Sequence, residues 1–461
     1  MTGLKTTFLS LLALAAITFA EPADSSACPE GTVISAIRFE GLEHTNSRVV
    51  QRELLNKAGE PFSVEKFEAE KRRLQDLDLF TDINVSCRIG KSGQEIASAQ
   101  PRNDKDGELV YSFKEIFRWI PAPAGKETDR DGLMIGLALA NLNLFGEDIR
   151  AELQYRTATD PFFDKNEYAV YVSSPYLFGL PLGWNIEFLV TDSYDDIRGF
   201  QENSILLDLD LDYRFLPHFS VLATVAGREL KDAAFLPELG LGFAFDYRDS
   251  KLDTRKGVYF EYMVTHVGEG DDSDSDCDVS DGESCKGMGG ENFREFLTDA
   301  RGYFTLWRFV TGATALARYR QGDVEFYDYY YHGGANTFRG RGGSALGGKE
   351  DDADSVRLGV HEVLLTLEER FVLMERHAAS LCGINFFYGV QLVAGLDGSL
   401  LWDKGRPGWG DYEGAVYSGV HLVIPALDRI RFEVGYRPDR GEPAFYFGLF
   451  DKMTSSRWRS R

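Results

Sequence analysis

The residues of this chain that could do chemistry are few, and they are poorly assembled for catalysis. Gly343-Ser344-Ala345-Leu346 lacks the second glycine that a nucleophile elbow needs around its serine. The seven histidines show no paired zinc spacing, and none clusters with a cysteine. No glycine-rich phosphate loop is present. Oxygen ligands are plentiful in Asp271, Asp272, Asp274, Asp276, Asp278, Asp281 and Glu283, but Val279 stands where an EF-hand needs its sharp-turn glycine. That segment reads as a solvated loop. These patterns imply no enzyme, no metal and no cofactor. What remains is a glycine-rich stretch carrying one cation, Gly333-Gly334-Ala335-Asn336-Thr337-Phe338-Arg339-Gly340. A guanidinium is the group best suited to a planar, two-oxygen grip on a carboxylate. What Arg339 can do therefore depends on the elements that surround it.

Those elements are strands. From Leu207 to Phe215 the residues Leu207, Leu209, Leu211, Tyr213 and Phe215 interleave with Asp208, Asp210, Asp212 and Arg214. Successive strand side chains point to opposite faces, so one face is apolar and the other charged. A soluble sheet would bury the apolar face; a membrane barrel would turn it to lipid and the acids to a wet lumen. Sixteen such stretches follow one another from residue 115 onward, near 115–124, 132–143, 147–157, 166–175, 183–193, 203–214, 218–229, 237–248, 257–267, 293–306, 309–320, 356–372, 385–401, 413–424, 428–438 and 443–453.

The start of the chain decides how that series is oriented. Met1 to Ala20 reads as an export signal: Lys5, an apolar run from Phe8 to Phe19, and the small-residue site Thr18-Phe19-Ala20. The run is too short for a membrane-spanning helix, and no later stretch approaches the roughly 20 apolar residues one needs. An exported chain of this kind is either soluble or a β-barrel. If the amino-terminal part lies in the periplasm, sixteen strands place Glu269–Glu291 and Gln321–Ser355 outside, while the opposite turns (Leu144–Gly146, Pro217, Asp249–Lys256, Trp307–Arg308) are mostly short. Long outer loops with short periplasmic turns are the barrel pattern.

Between the signal and the strands, residues 30–114 spell a βααββ module. Thr32–Phe39 is strand-like, Ser47 caps one helix, and Ser63 caps another whose Val64, Phe67, Leu74 and Leu77 share a face. Two strands near Asp82–Arg88 and Glu108–Lys114 complete it. The formal net charge of −23 argues against nucleic acid as a partner. Cys277 and Cys285 share the acidic loop and could bridge locally; a Cys28–Cys87 pair is possible, but spacing does not determine it.

In these motifs the chain resembles the BamA/TamA outer-membrane assembly superfamily of bacterial surface antigens. Ile34–Leu42 with Asn46-Ser47 and Leu79-Phe80-Thr81-Asp82-Ile83 is similar to a periplasmic POTRA module. Asn143-Leu144-Phe145-Gly146 and Asp246-Tyr247-Arg248-Asp249 with Thr254 and Gly257 resemble turns of its barrel. The segment from Gly333 to Gly340 is similar to the signature of the sixth outer loop, which folds back into the barrel; here Arg341 replaces an aromatic residue, and Gly398-Ser399 departs from the family's order after the aspartate. The resemblance implies that Glu368 and Asp397 are the carboxylate partners of Arg339. Ile197-Arg198-Gly199-Phe200 has a similar string without the glycine pair and reads as coincidence.

The resemblance implies a signal peptide (1–20), one α+β POTRA domain (30–114), a 16-stranded antiparallel outer-membrane barrel (115–453) and a basic tail (454–461). It implies unfolded outer-membrane or secreted proteins as clients, outer-membrane lipid around the barrel, and periplasmic or lipoprotein accessory factors. The expected seam sets Phe117, Trp119, Pro121 and Pro123 against Phe445, Phe447 and Phe450. Since proline has no N–H to donate, the first strand is expected to pair poorly at its outer end. A dedicated two-partner-type secretion pore and a passive porin or structural barrel are the alternatives.

Overall fold

The computed structural model describes residues 28–89, 106–128, 132–159, 165–195, 200–231, 235–268 apart from 252, 292–340 apart from 335 and 336, 358–381, 384–424 and 429–449 apart from 440 and 442. The amino-terminal domain comprises β1 (Val33–Glu40), α1 (Ser47–Gln51), α2 (Val64–Asp76), β2 (Phe80–Ile89) and β3 (Asp106–Glu115). Its sheet order is β1-β3-β2, with β1 parallel and β2 antiparallel to the central β3. Ser63 caps α2 as expected, accepting from the Lys66 N–H at 3.4 Å. The cap of α1 is Asn46 and not Ser47: Asn46 holds the extended backbone a cap needs, and its side chain accepts from the Arg48 N–H at 3.2 Å. Phe67 and Leu74 of α2 pack on Ile34, Leu109 and Tyr111 of the sheet. A disulfide joins Cys28 to Cys87, the pairing that spacing left open.

Sixteen antiparallel strands then close on themselves. The first eight are β4 (Trp119–Thr128), β5 (Gly132–Leu144), β6 (Ile149–Ala158), β7 (Lys165–Ser174), β8 (Leu182–Asp195), β9 (Phe200–Leu216), β10 (Phe219–Leu230) and β11 (Phe235–Asp246). β12 (Gly257–Val267), β13 (Asn292–Leu306) and β14 (Phe309–Asp323) continue the series. Two short strands, β15 (Tyr330–Tyr331) and β16 (Leu358–Gly359), pair within the next connection. β17 (His361–Leu381), β18 (Ile384–Trp402), β19 (Tyr412–Val423), β20 (Ile430–Tyr436) and β21 (Pro443–Leu449) complete the barrel. Alternation sets the faces: Leu207 is 56% exposed while its neighbour Asp208 is fully buried in the lumen.

β17 runs well past the expected end. Its hairpin with β18 continues beyond the rim, and Asn385 there accepts the Phe117 N–H through its carbonyl at 3.2 Å. Phe117 thus precedes β4 and bonds to the β17–β18 hairpin, away from the closing strand. Pro121 and Pro123 lie in the domain-side half of β4 and pair with β5 through Leu139 and Leu137. β21 meets β4 only at Gly448–Lys126 and Leu449–Gly125 among the described residues. Pairing does stop toward the outer end, where Glu127–Thr128 and Pro443–Phe447 share no ladder, but the two prolines of β4 are not the cause.

The domain is bolted across one mouth of the barrel. The Asn46 N–H bonds to the Gly146 carbonyl (2.9 Å), Asn143 donates to Thr45 (2.9 Å), and Arg52 pairs with Asp148 (2.7 Å). Tyr176 lies beneath the Arg52 guanidinium (3.7 Å) and donates to Glu53 (3.1 Å). Gly146 is indispensable to this seat: its φ is +75°, and a Cβ there would lie 2.3 Å from the His44 carbonyl oxygen. Gly146→Ala should therefore lift the domain from the rim at a cost of about 1 kcal/mol or more. Hydrogen exchange at residues 44–52 should rise several-fold; unchanged protection would contradict this packing.

Candidate functional site

Inside the barrel, the connection from β14 to β17 folds back so that Arg339 lies in the lumen. Gly334, at φ +120°, turns the chain, and the Gly333 N–H donates to the Thr337 hydroxyl at 3.0 Å to close the turn. Phe338 is fully buried beside Gly340, where a Cβ would collide with its ring at 2.5 Å. The loop backbone rests directly on β20: a Cβ on Gly435 would sit 1.7 Å from the Arg339 carbonyl oxygen, so only glycine permits this approach.

The guanidinium is held on three sides. Asp397 accepts from its Nε at 2.7 Å and its Nη2 at 2.8 Å, and also from the Arg339 backbone N–H at 3.0 Å. Glu433 accepts from Nη1 at 3.0 Å, while Glu368 is further away at 3.9 Å. The Tyr417 ring stacks on the guanidinium at 3.3 Å, and its hydroxyl donates to Glu368 at 2.9 Å. Thr366 donates to Asp397 at 2.9 Å. Glu433 was not anticipated from the sequence. The signal was there: Ile430, Phe432, Val434 and Tyr436 alternate with Arg431 and Glu433, which places the acid inward.

A second grip holds the same connection nearer the outer end. His332 bridges Glu362 (2.7 Å) and Ser399 (2.6 Å), Tyr330 donates to Glu295, and Arg228 pairs with Asp328. His332 adjoins the glycine pair in sequence but showed no motif of its own.

From Arg339 a run of charged contacts leads back to the domain. Glu368 lies 3.4 Å from Arg370, and Arg370 lies 3.4 Å from Asp253 in the turn between β11 and β12. In that turn the Asp253 N–H donates to Ser250 Oγ at 3.1 Å, and the Ser250 hydroxyl donates to Asp76 of α2 at 2.5 Å. Burial pushes the Asp253 carboxyl up, but the guanidiniums of Arg429, Arg370 and Arg255 outweigh it and hold it well below the usual carboxylate range. Between the loop and the domain lies a chamber of ≈ 1430 Å³, bounded by Thr337, Arg339 and Glu368 on one side and by Arg52, Arg73 and Asp76 on the other.

Glu368, His421 and Glu433 bring three potential metal-ligand atoms within 4.8 Å of one another. The same Glu433 oxygen already accepts from Arg339 and contacts His421 Nε2 at 2.9 Å, so a metal would have to displace a fixed cation. Of the remaining expected residues, Trp119 faces outward on β4, Phe445 is exposed opposite Val434, and Phe447 packs on Phe432 with tilted rings 5.2 Å apart. Phe450, Cys277, Cys285, the acidic loop, residues 197–199, the signal and the tail lie outside the described residues.

A lidded, polar-lined barrel carrying one periplasmic-type domain defines a class of outer-membrane protein, and comparison with known proteins identifies it. Residues 143–449 match the Omp85 superfamily domain, and residues 32–115 match the POTRA family, described as surface antigen variable number repeat. The chain belongs to the Omp85 superfamily. It is an outer-membrane barrel with its POTRA domain in the periplasm. Among solved structures, CdiB from Escherichia coli is 15% identical with a TM-score of 0.57, over 91% of this chain and 76% of that one. CdiB from Acinetobacter baumannii is 13% identical with a TM-score of 0.51, over 91% and 73%. BamA from Haemophilus ducreyi lacking POTRA domains 1–3 is 14% identical with a TM-score of 0.47, over 90% and 83%. No curated protein matches the chain significantly.

Removing one member of a buried ion pair strands the other, at about 3–5 kcal/mol. Arg339→Ala should lower the unfolding midpoint in detergent accordingly, and Arg339→Lys, which lacks the two-oxygen fork, should recover only part. Glu433→Gln should cost more than Glu368→Gln, since Glu433 is the nearer partner. A reversed order would place the Arg339 grip elsewhere. For Asp253, the depressed carboxyl makes its stabilisation full above about pH 4 and lost as pH falls further. The deficit of Asp253→Asn relative to wild type should accordingly be largest at neutral pH and shrink under acid, measured as urea midpoints across pH.

Proposed function

We propose that this protein assists the insertion or translocation of other proteins at the outer membrane, with unfolded outer-membrane or secreted chains as clients. The observation that carries the reading is the outer end of the seam: Glu127 and Thr128 of β4 pair with β5 but share no ladder with Pro443–Phe447 of β21, which meets β4 at Gly448–Lys126 and Leu449–Gly125. A short ladder is the place where a barrel can part sideways and offer an edge to another strand. The start of the β1 edge of the POTRA domain is already bonded to residues 59–62, and its stretch past Ile34 can pair with an extended client by β-augmentation, which uses backbone hydrogen bonds and tolerates many sequences. No hydrolysed cofactor is needed for such work, and the reading assigns no enzymatic role. Residues 1–20 then serve export, 30–114 receive clients, 115–453 form the barrel, and 454–461 end in the periplasm. Periplasmic or lipoprotein factors are assigned as accessories.

Two experiments test this. Depletion followed by quantitative proteomics of purified outer membranes should show a broad loss of barrel proteins; loss of one secreted protein would indicate a dedicated pore, and no change a passive or structural barrel. Lys126→Cys with Gly448→Cys should cross-link across the seam and abolish activity until reduced. Full activity in the oxidised protein would rule out lateral opening.

A further inference from the structure

The lipid-facing side of β17 carries a residue that the luminal chemistry does not use. Its outward column reads Val363, Leu365, Leu367, Glu369, Phe371, Leu373, one carboxylate within an apolar series. The inward position of Glu368, whose carboxylate faces Arg339 and Tyr417, fixes Glu369 on the opposite face. Glu369 accepts from Thr311 at 2.6 Å, the residue opposite it on β14. Just toward the periplasm, Phe309 and Phe371 pack at 5.0 Å with Trp307 beside them, a belt of the kind that marks a membrane interface. An ionisable group facing lipid is costly to hold there without a partner of opposite charge.

The next outward positions on the same two strands, Ala313 and Leu367, border a groove of ≈ 610 Å³ on the outer wall. Ala300, Gly302, Ala313 and Ala315 line its floor, and Phe260 and Leu367 stand on either side. A Cβ built at Gly302 would meet nothing within 4 Å, so the depression is open space at the lipid face. Apolar walls suit an acyl chain, and the carboxylate with its hydroxyl at the periplasmic foot suits a cation bearing N–H donors. We propose that this groove, with Glu369 and Thr311 at its foot, binds a phospholipid of the periplasmic leaflet whose head group carries a primary ammonium. The acyl chain lies over the small residues, and the ammonium donates to Glu369.

Native mass spectrometry of the full chain in detergent tests this with phosphatidylethanolamine and phosphatidylglycerol of identical acyl chains. Wild type should retain the ethanolamine lipid at least about fivefold better, a preference of about 1 kcal/mol by the usual conversion. Glu369→Gln should erase the preference, and Gly302→Leu, which fills the groove, should weaken both lipids. Heat-modifiable gel mobility would verify that each barrel is folded. Equal retention of the two lipids by wild type would overturn the proposal without recourse to any variant, as would a preference that survives Glu369→Gln.

Discussion

A guanidinium buried inside a barrel has to be compensated, and much of this lumen is arranged around that requirement. Arg339 gives up its hydration for two carboxylates, an aromatic face and a third acid at longer range. Each partner comes from a different strand: Glu368 from β17, Asp397 from β18, Tyr417 from β19 and Glu433 from β20. One side chain therefore fixes the position of a loop against four neighbouring strands. Such a cluster is weak as a source of net stability but strong as a specifier of geometry, because any displaced arrangement leaves charges unpaired. The glycines follow from the same demand, since Gly435 must let the loop backbone lie against β20.

The compensation spreads because acids in the lumen serve more than one cation. Glu368 is shared between Arg339 and Arg370, and Arg370 between Glu368 and Asp253. Asp253 belongs to a periplasmic turn whose Ser250 and Lys251 contact Asp76 of the POTRA domain. The seat of the domain and the seat of the loop are thus ends of one connected set of charges. A shift of the domain that moved this turn would alter the compensation of Arg370 and, through Glu368, that of Arg339.

Period-two alternation made the barrel legible. It requires nothing beyond side-chain direction, and lipid outside with water inside amplifies the contrast at every strand, as Leu207 and Asp208 show. The loop signature was legible because glycine and arginine have few substitutes in their roles. Glu433, Asp253 and His332 were not found because their partners are distant in sequence; burial turns an ordinary charged residue into a partner only once the fold brings another to it. The prolines of β4 misled for a related reason. Their missing N–H groups are a local fact, but which part of the strand lies at the seam depends on the register of β21, which no local pattern reveals.

Three closures separate the chamber from its surroundings, and their strengths differ. The loop is held by buried ion pairs, each costing about 3–5 kcal/mol to break from one side. The domain combines the buried Arg52–Asp148 pair with exposed contacts such as Arg48–Glu147, worth about 1 kcal/mol or less. The described part of the seam has a short backbone ladder, each hydrogen bond contributing about 1 kcal/mol. On the proposed function, the seam parts from its outer end, where Glu127–Thr128 and Pro443–Phe447 share no ladder, while Arg339 stays clasped to its strands. The loop then acts as a fixed inner wall that keeps the remaining strands in register while β4 and β21 separate. That division of labour accounts for an arginine whose clasp is drawn from four neighbouring strands of the barrel wall.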